Sequence, residues 1–346
     1  MPAKMVPGSF AGILFRQEIN MRVFIYGDYA EWQRREFLSL LVRGIEIEWN
    51  VTFPDKPAHD VLIWGVPERV FLEKAVNLKK VVVPYAGIPL PTRQLMKEFP
   101  QVELHNLHHN AIPTAEMAFS LMLTAAKNIV IADRYLRKGN WTPRYEGLAN
   151  RLIYGKTALI LGMGAVGSYL GKLCRGIGME VMGTRRNLGQ QIEVEGIKLY
   201  PSTYLEQLLP QAEFLLVTLP LTDETEGILD RRRLELLPAD AIIVNIGRGV
   251  LIDEKALFEL LQSGRLAGAG LDVWYNYPQS REARTDTYPG NYPFQELENI
   301  VMSPHRGGAF ANYDTELLRV QHLAKLLNEY AETGIMRNRV ELKAGY

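Results

Sequence analysis

Short apolar runs recur in the first third of the chain at 22–26, 61–64 and 80–83, each bounded by turn-forming residues. Between them, 31–42 and 69–77 place apolar residues at helical spacing. That alternation predicts βαβ units and a parallel sheet. A long apolar helix pattern over 114–136 then gives way to a polar, turn-rich stretch, 137–155. A second alternating series follows, with strands expected at 158–161, 180–182, 214–217, 241–245, 267–271 and 300–302, and an amphipathic helix over 314–333 closes the chain. Two α/β domains are therefore expected. The last residues pack back on the first domain, which puts a ligand cleft between the two.

The second series opens on the most informative stretch. The strand at 158–161 runs into Gly162-Met163-Gly164-Ala165-Val166-Gly167, the G-x-G-x-x-G spacing of a strand-to-helix turn. The first glycine permits a tight turn, the second lets a pyrophosphate approach the backbone, and the third lets the helix pack closely on the strand. Phosphates then meet unpaired N–H groups and the positive end of a helix dipole. The next strand ends in Gly183, Thr184, Arg185 and Arg186. An NAD-selective site places an acid there for the ribose 2′-hydroxyl, whereas guanidinium groups suit a 2′-phosphate. NADP(H) is the cofactor this pattern prefers over NAD(H).

Length and charge narrow the rest. At 346 residues the chain exceeds the size at which a single core usually stops growing. Its 39 basic and 39 acidic residues balance, so no global field points to nucleic acid or an anionic membrane, and a small molecule is the expected ligand. The one cysteine, Cys174, falls within the helix after the glycines and is expected to be a buried apolar residue. The most apolar stretch, 115–132, is interrupted by Glu116 and Lys127, and no membrane span is expected. Residues 1–20 lack a convincing cleavage site and are expected to be a flexible extension, with the cytoplasm as default location. His105, His108 and His109 have no accompanying cysteine or carboxylate cluster, and no metal is expected.

Three later segments matter together: 218–229 (TLPLTDETEGIL), 245–257 (NIGRGVLIDEKAL) and 303–308 (SPHRGG). With the glycine motif before them, they give a chain that resembles the D-2-hydroxyacid dehydrogenase family, in its glyoxylate/hydroxypyruvate reductase-like branch, from about Leu78 to Gly308. The resemblance implies a Rossmann nucleotide domain (116–311), a flavodoxin-like substrate domain made from both ends (21–115 and 312–346), and usually a homodimer. It also implies hydride transfer between NADP(H) and a small 2-oxo or 2-hydroxy acid. Such a reaction needs a cation for the substrate's carboxylate and an acid for the developing alkoxide. Arg248 matches the family's substrate arginine, and His305 its acid/base. The loop Pro84-Tyr85-Ala86-Gly87-Ile88 resembles the one whose backbone receives the carboxylate, through Ala86 and Gly87. Thr218, Leu219, Pro220, Ile246 and Gly247 resemble stretches that line the cofactor, and Asp272 the acid near the nicotinamide.

One departure stands out. The family pairs its histidine with a glutamate just before a proline, and here that position holds Tyr277. A tyrosine is neutral at ordinary pH and supplies no charge, although its hydroxyl is able to orient the ring. Three outcomes stay open: Tyr277 orients His305, an acid such as Glu282 or Asp286 takes the missing role, or catalysis is weak. The last sustains an alternative, an NADP(H)-binding sensor that presents the aromatic segment 274–294 to a partner.

Overall fold

The computed structural model describes residues 20–147, 149–189, 192–308 and 312–342. The expected extension at 1–20 thus lies, apart from its last residue, outside the described residues. The first series runs β1 Met21–Tyr26, α1 Glu31–Leu40, β2 Ile45–Asn50, β3 Val61–Ile63, α2 Arg69–Lys74, β4 Lys80–Val83, α3 Leu90–Met96 and β5 Glu103–Asn106. It forms a five-stranded sheet in the order β2-β1-β3-β4-β5, with every pairing parallel. This is the 2-1-3-4-5 doubly wound order. Its interior strands are continuous apolar runs because helices cover both faces, as Val61, Leu62 and Ile63, all buried, illustrate.

Three helices bridge to the second series: α4 Ala111–Ala126, α5 Ile129–Leu136 and α6 Thr142–Tyr145. The single helix expected over 114–136 is in fact two, bent by 63°. Asn128 breaks it by adopting a left-handed backbone, φ 52°, which asparagine tolerates better than most residues. No single helix among the described residues is long and apolar enough to cross a membrane.

The second series comprises β6 Thr157–Leu161, α7 Ala165–Gly176, β7 Glu180–Arg185, β8 Glu193–Val194, β9 Ile197–Pro201, α8 Leu205–Leu208, β10 Phe214–Val217, α9 Arg231–Glu235, β11 Ile242–Asn245, α10 Glu254–Gln262, β12 Gly268–Leu271 and β13 Ile300–Met302, and α11 Tyr313–Thr333 ends the order. The sheet order is β13-β12-β11-β10-β6-β7-β9-β8, parallel except for the short edge strand β8. Counted from β6, the parallel strands follow the nucleotide-binding order 3-2-1-4-5-6 with one strand added. The order reverses between β6 and β10, and ligands bind at such a switch point.

Packing assigns the helices. Helix α4 lies on the larger sheet and shares a core with α7, β6 and β11, through Ala118, Met122, Leu170 and Val244. Helix α11 lies against α1 and buries Val320, Leu323 and Leu327 with Val23 and Ile25 of β1. The chain's last described helix is therefore part of the smaller, N-terminal body. Asp253 caps α10 by accepting from Ala256 N at 2.6 Å, and Asn312 caps α11 by accepting from Asp314 N at 2.9 Å.

Candidate active site

The two bodies face each other across a cleft of about 1490 Å³ whose walls carry the residues singled out by sequence. The glycine turn, Thr184 to Arg186, Thr218 to Pro220, Ile246 to Arg248, Asp272, His305 and the 84–88 loop all line it.

The glycine turn is built as the spacing requires. Gly162 has φ +103°, open to glycine but strained for any other residue, and a Cβ on Gly167 would collide with the Gly162 carbonyl. Thr218 Oγ1 donates to the Gly162 carbonyl at 2.7 Å, and Thr184 Oγ1 accepts from Gly162 N at 3.3 Å. Both threonines, expected as cofactor contacts, thus hold the turn as well as line the cleft. Gly164 is the N-cap of the twelve-residue α7, so its first-turn N–H groups face the cleft with the helix dipole behind them.

Arg185 ends β7 at the same rim, with Arg186 beside it. Charged partners from distant segments of the sequence meet these arginines and the cleft beside them. Glu224 pairs with Arg186 at 3.4 Å, and Glu206 pairs with Arg232 and with Arg233, which reaches the cleft. Arg232 beside Glu206 holds that carboxyl down to about 2, so it is ionised throughout the working range. The nucleotide end therefore mixes arginines with paired carboxylates. Cys174, buried in α7, has its thiol pushed up to about 12 and is inert.

Arg248 follows β11 in extended conformation. Asn245 shapes this turn by accepting from Gly247 N at 3.0 Å and donating to the Arg248 carbonyl at 2.8 Å. The guanidinium crosses to the opposite body, where a Cβ on Gly87 would come within 2.9 Å of Arg248 Nη2. The atom met is the far end of the flexible Arg248 side chain, and the contact marks how near the two bodies come. Asn106 fixes that loop by donating to the Ala86 carbonyl at 2.7 Å.

His305 has φ 56°, a left-handed backbone unusual for a residue with a side chain, and its neighbours enforce it. Asp272, expected near the nicotinamide, lines the cleft, and both of its carboxylate oxygens are occupied by the histidine loop. It accepts from Ser303 Oγ at 2.5 Å, Arg306 N at 2.8 Å and Gly307 N at 2.7 Å. Trp274 Nε1 adds a bond to the Ser303 carbonyl at 2.8 Å. Burial, reinforced by the charge of Arg248, pushes the His305 pKa below its ordinary value, while Asp272 opposes the shift.

Tyr277 Oη lies 3.1 Å from His305 Nδ1 and accepts from Trp274 N at 3.1 Å. Trp274 N–H takes one lone pair of the hydroxyl, which leaves it able to donate to Nδ1 of the neutral ring or to accept from it, according to the ring's tautomer. When the ring is protonated, Nδ1–H donates to the phenol oxygen. Burial raises the Tyr277 pKa, so it stays a phenol. Glu282 is instead bonded within its own turn, to Ser280, and Asp286 lines a separate shallow pocket. Neither touches His305 among the described residues. In segment 274–294, Tyr275 stacks on buried Phe294 and bonds the Ile252 carbonyl at 3.0 Å, so both ends of this stretch are anchored in the larger body.

Similarity to known proteins agrees with this architecture. Residues 119–307 match the family described as D-isomer specific 2-hydroxyacid dehydrogenase, NAD binding domain. A glyoxylate reductase of Korarchaeum cryptofilum is 34% identical over 230 residues, 66% of this chain and 65% of that protein. A D-3-phosphoglycerate dehydrogenase of Methanocaldococcus jannaschii is 32% identical over 70% of this chain and 44% of its own length. The chain thus spans less than two-thirds of these curated relatives. Among solved structures, a D-isomer specific 2-hydroxyacid dehydrogenase from Xanthobacter autotrophicus, in complex with NADPH and MES, superposes with TM-score 0.74 at 23% identity, over 94% of this chain and all of that one. An NADPH-dependent glyoxylate/hydroxypyruvate reductase from Sinorhizobium meliloti gives 0.72 at 23% identity with the same coverage.

Proposed function

The chain belongs to the D-isomer specific 2-hydroxyacid dehydrogenase family, and from that premise we propose that it is an oxidoreductase that reduces small 2-oxo acids with NADPH, glyoxylate and hydroxypyruvate first among them. The observation that carries the reading is the convergence of Arg248, His305 and the 84–88 loop on one cleft with the glycine turn.

In this reading residues 116–311 form the nucleotide domain, and 21–115 with 312–346 form the substrate domain. Gly162 to Gly167, with Thr218 to Pro220, Ile246 and Gly247, would hold the cofactor, which when bound would supply the hydride. Arg185 and Arg186 receive a 2′-phosphate, which favours NADP(H) over NAD(H). Arg248 binds the substrate's carboxylate through its planar fork, assisted by backbone N–H groups at Ala86 and Gly87. His305, protonated, donates from Nε2 to the carbonyl oxygen and transfers that proton as the alkoxide forms. Tyr277 replaces the family's glutamate as the group that orients His305, through a neutral hydrogen bond. A homodimer in the cytoplasm completes the proposal, supported by exposed apolar side chains over 129–154.

The test is absorbance at 340 nm with glyoxylate or hydroxypyruvate and either nicotinamide cofactor. Rapid oxidation of NADPH, slower with NADH, is the expected result. A preference for NADH would contradict the cofactor assignment. Tight NADPH binding without turnover would favour a sensor.

A further inference from the structure

The 84–88 loop has no regular structure of its own, yet two of its peptide units are tethered from behind. Leu107 N donates to the Tyr85 carbonyl at 3.3 Å, and Asn106 Nδ2 donates to the Ala86 carbonyl at 2.7 Å. Each of these carbonyls shares a planar unit with the next residue's N–H, and in a trans peptide the two point in opposite directions. Every peptide bond among the described residues is trans. Drawing both carbonyls toward the end of β5 therefore turns the N–H groups of Ala86 and Gly87 away from it, and both residues line the cleft. Neither N–H is bonded to a backbone carbonyl among the described residues. Arg248 reaches the same loop, its Nη2 lying 2.9 Å from a Cβ placed on Gly87.

Asn106 is itself held. It ends β5, is 3% exposed, and bonds through both of its main-chain groups to one residue. Asn106 N donates to the Asn338 carbonyl at 3.2 Å, and Asn338 Nδ2 donates to the Asn106 carbonyl at 3.3 Å. Asn338 has a left-handed backbone, φ 59°, in a strap, 336–340, that follows α11 and lies antiparallel to the outer edge of β5. Within the strap the Arg337 carbonyl bonds His105 Nδ1 at 2.8 Å, and Val340 N donates to the Leu104 carbonyl at 2.8 Å. Met336 is buried in the core on one face of the smaller sheet and Val340 in the core on the other, so the strap is anchored at both ends.

We infer that Asn106 is a positioning residue for the substrate's carboxylate: its amide aims the Ala86 and Gly87 N–H groups, and Asn338 holds it in place to do so. This rests on the oxidoreductase reading and deepens it. Hydrogen bonds weaken steeply as a donor tilts out of line, so a loop free to rotate these two peptides would leave the carboxylate to Arg248 alone.

The experiment measures kcat and KM for glyoxylate with NADPH, and NADPH affinity by quenching of protein fluorescence, in the wild type, Asn106→Leu, Asn338→Gly and the double variant. Asn106→Leu keeps the branching at Cγ and removes the amide. Asn338→Gly keeps a residue at ease in the left-handed backbone, with its carbonyl, and removes only the side chain. KM should rise about tenfold in Asn106→Leu and about threefold in Asn338→Gly, with kcat and NADPH affinity within about twofold of the wild type. Because Asn338 acts through Asn106, the double variant should be no worse than Asn106→Leu alone, whereas independent structural defects would multiply. An unchanged KM in Asn106→Leu would overturn the inference alone. Multiplying effects would do the same, as would a joint loss of kcat, KM and NADPH affinity, which marks a general loss of fold. No turnover of glyoxylate or hydroxypyruvate by the wild type would overturn the oxidoreductase reading and the inference together.

Discussion

His305, the proposed acid/base, sits at a backbone angle that costs about 1 kcal/mol or more, and Asp272 maintains it. Asparagine at 272 offers one acceptor oxygen in place of two, so at least one of the Arg306 and Gly307 N–H groups loses its partner. Asp272→Asn should lower kcat/KM about tenfold or more and reduce Tm, measured by steady-state kinetics and calorimetry. The pH dependence follows from the two forces on the ring. Reduction needs protonated His305, whose pKa lies below the ordinary histidine value, so activity should fall as pH rises through that depressed value. Tyr277→Glu puts a negative charge at Nδ1, favours the protonated ring, and should move this limb to higher pH by about one to two units. Rates of the wild type that stay level above about pH 8 would argue against the assignment. At this scale the sequence singled out Arg248, His305 and Tyr277 by motif order, and the structure puts Arg248 and His305 on one cleft with Tyr277 Oη against His305 Nδ1. Motif order did not carry the full role of Asp272, whose partners lie 31 to 35 positions away, or the approach of Glu206 and Glu224 to the arginines.

The glycine turn converts a residue's backbone freedom into the placement of a whole helix. Gly162→Ala forces a side chain into φ +103° against Thr218 and Leu219, which should displace the start of α7 and weaken NADPH binding about tenfold, read by quenching of protein fluorescence. The start of α4 gives the molecule a pH dependence. His109 is held neutral down to about 4, whereas in the unfolded chain it protonates near the ordinary histidine value. Between those values the unfolded state binds more protons, so this contribution is full above about pH 6.5 and is lost as pH falls toward 4. Thermal melts should show Tm dropping across that window, and His109→Gln should flatten the drop. The strongly apolar strands were legible because burial on both faces removes polar residues from them. β2 was missed: its alternation Ile45-Glu46-Ile47-Glu48 marks a half-exposed edge rather than a continuous run. The break at Asn128 was missed because the apolar periodicity continues on both sides of one left-handed residue.

At the scale of the molecule, two sheets of different winding order present their loops to a common cleft, and α11 returns the chain to the first body, as the segment order had suggested. Interleaved ends of this kind make the cleft a joint product of both bodies. Arg248 from one body and Gly87 from the other show the closeness of that approach. The exposed side chains Ile129, Leu136, Trp141, Tyr145 and Leu152 lie outside the cleft, and Trp141 is 60% exposed. Size-exclusion chromatography with light scattering should give a dimer, and Trp141→Glu should shift it toward monomer; a wild-type monomer would contradict the proposed assembly. The central claim is that Arg248 and His305 act together on a 2-oxo acid, and its most direct test is the rate of NADPH oxidation by glyoxylate in the wild type, Arg248→Lys and His305→Gln. Wild-type turnover reduced about a hundredfold or more in each variant, with NADPH affinity retained, is the expected result. Variants as active as the wild type would contradict it.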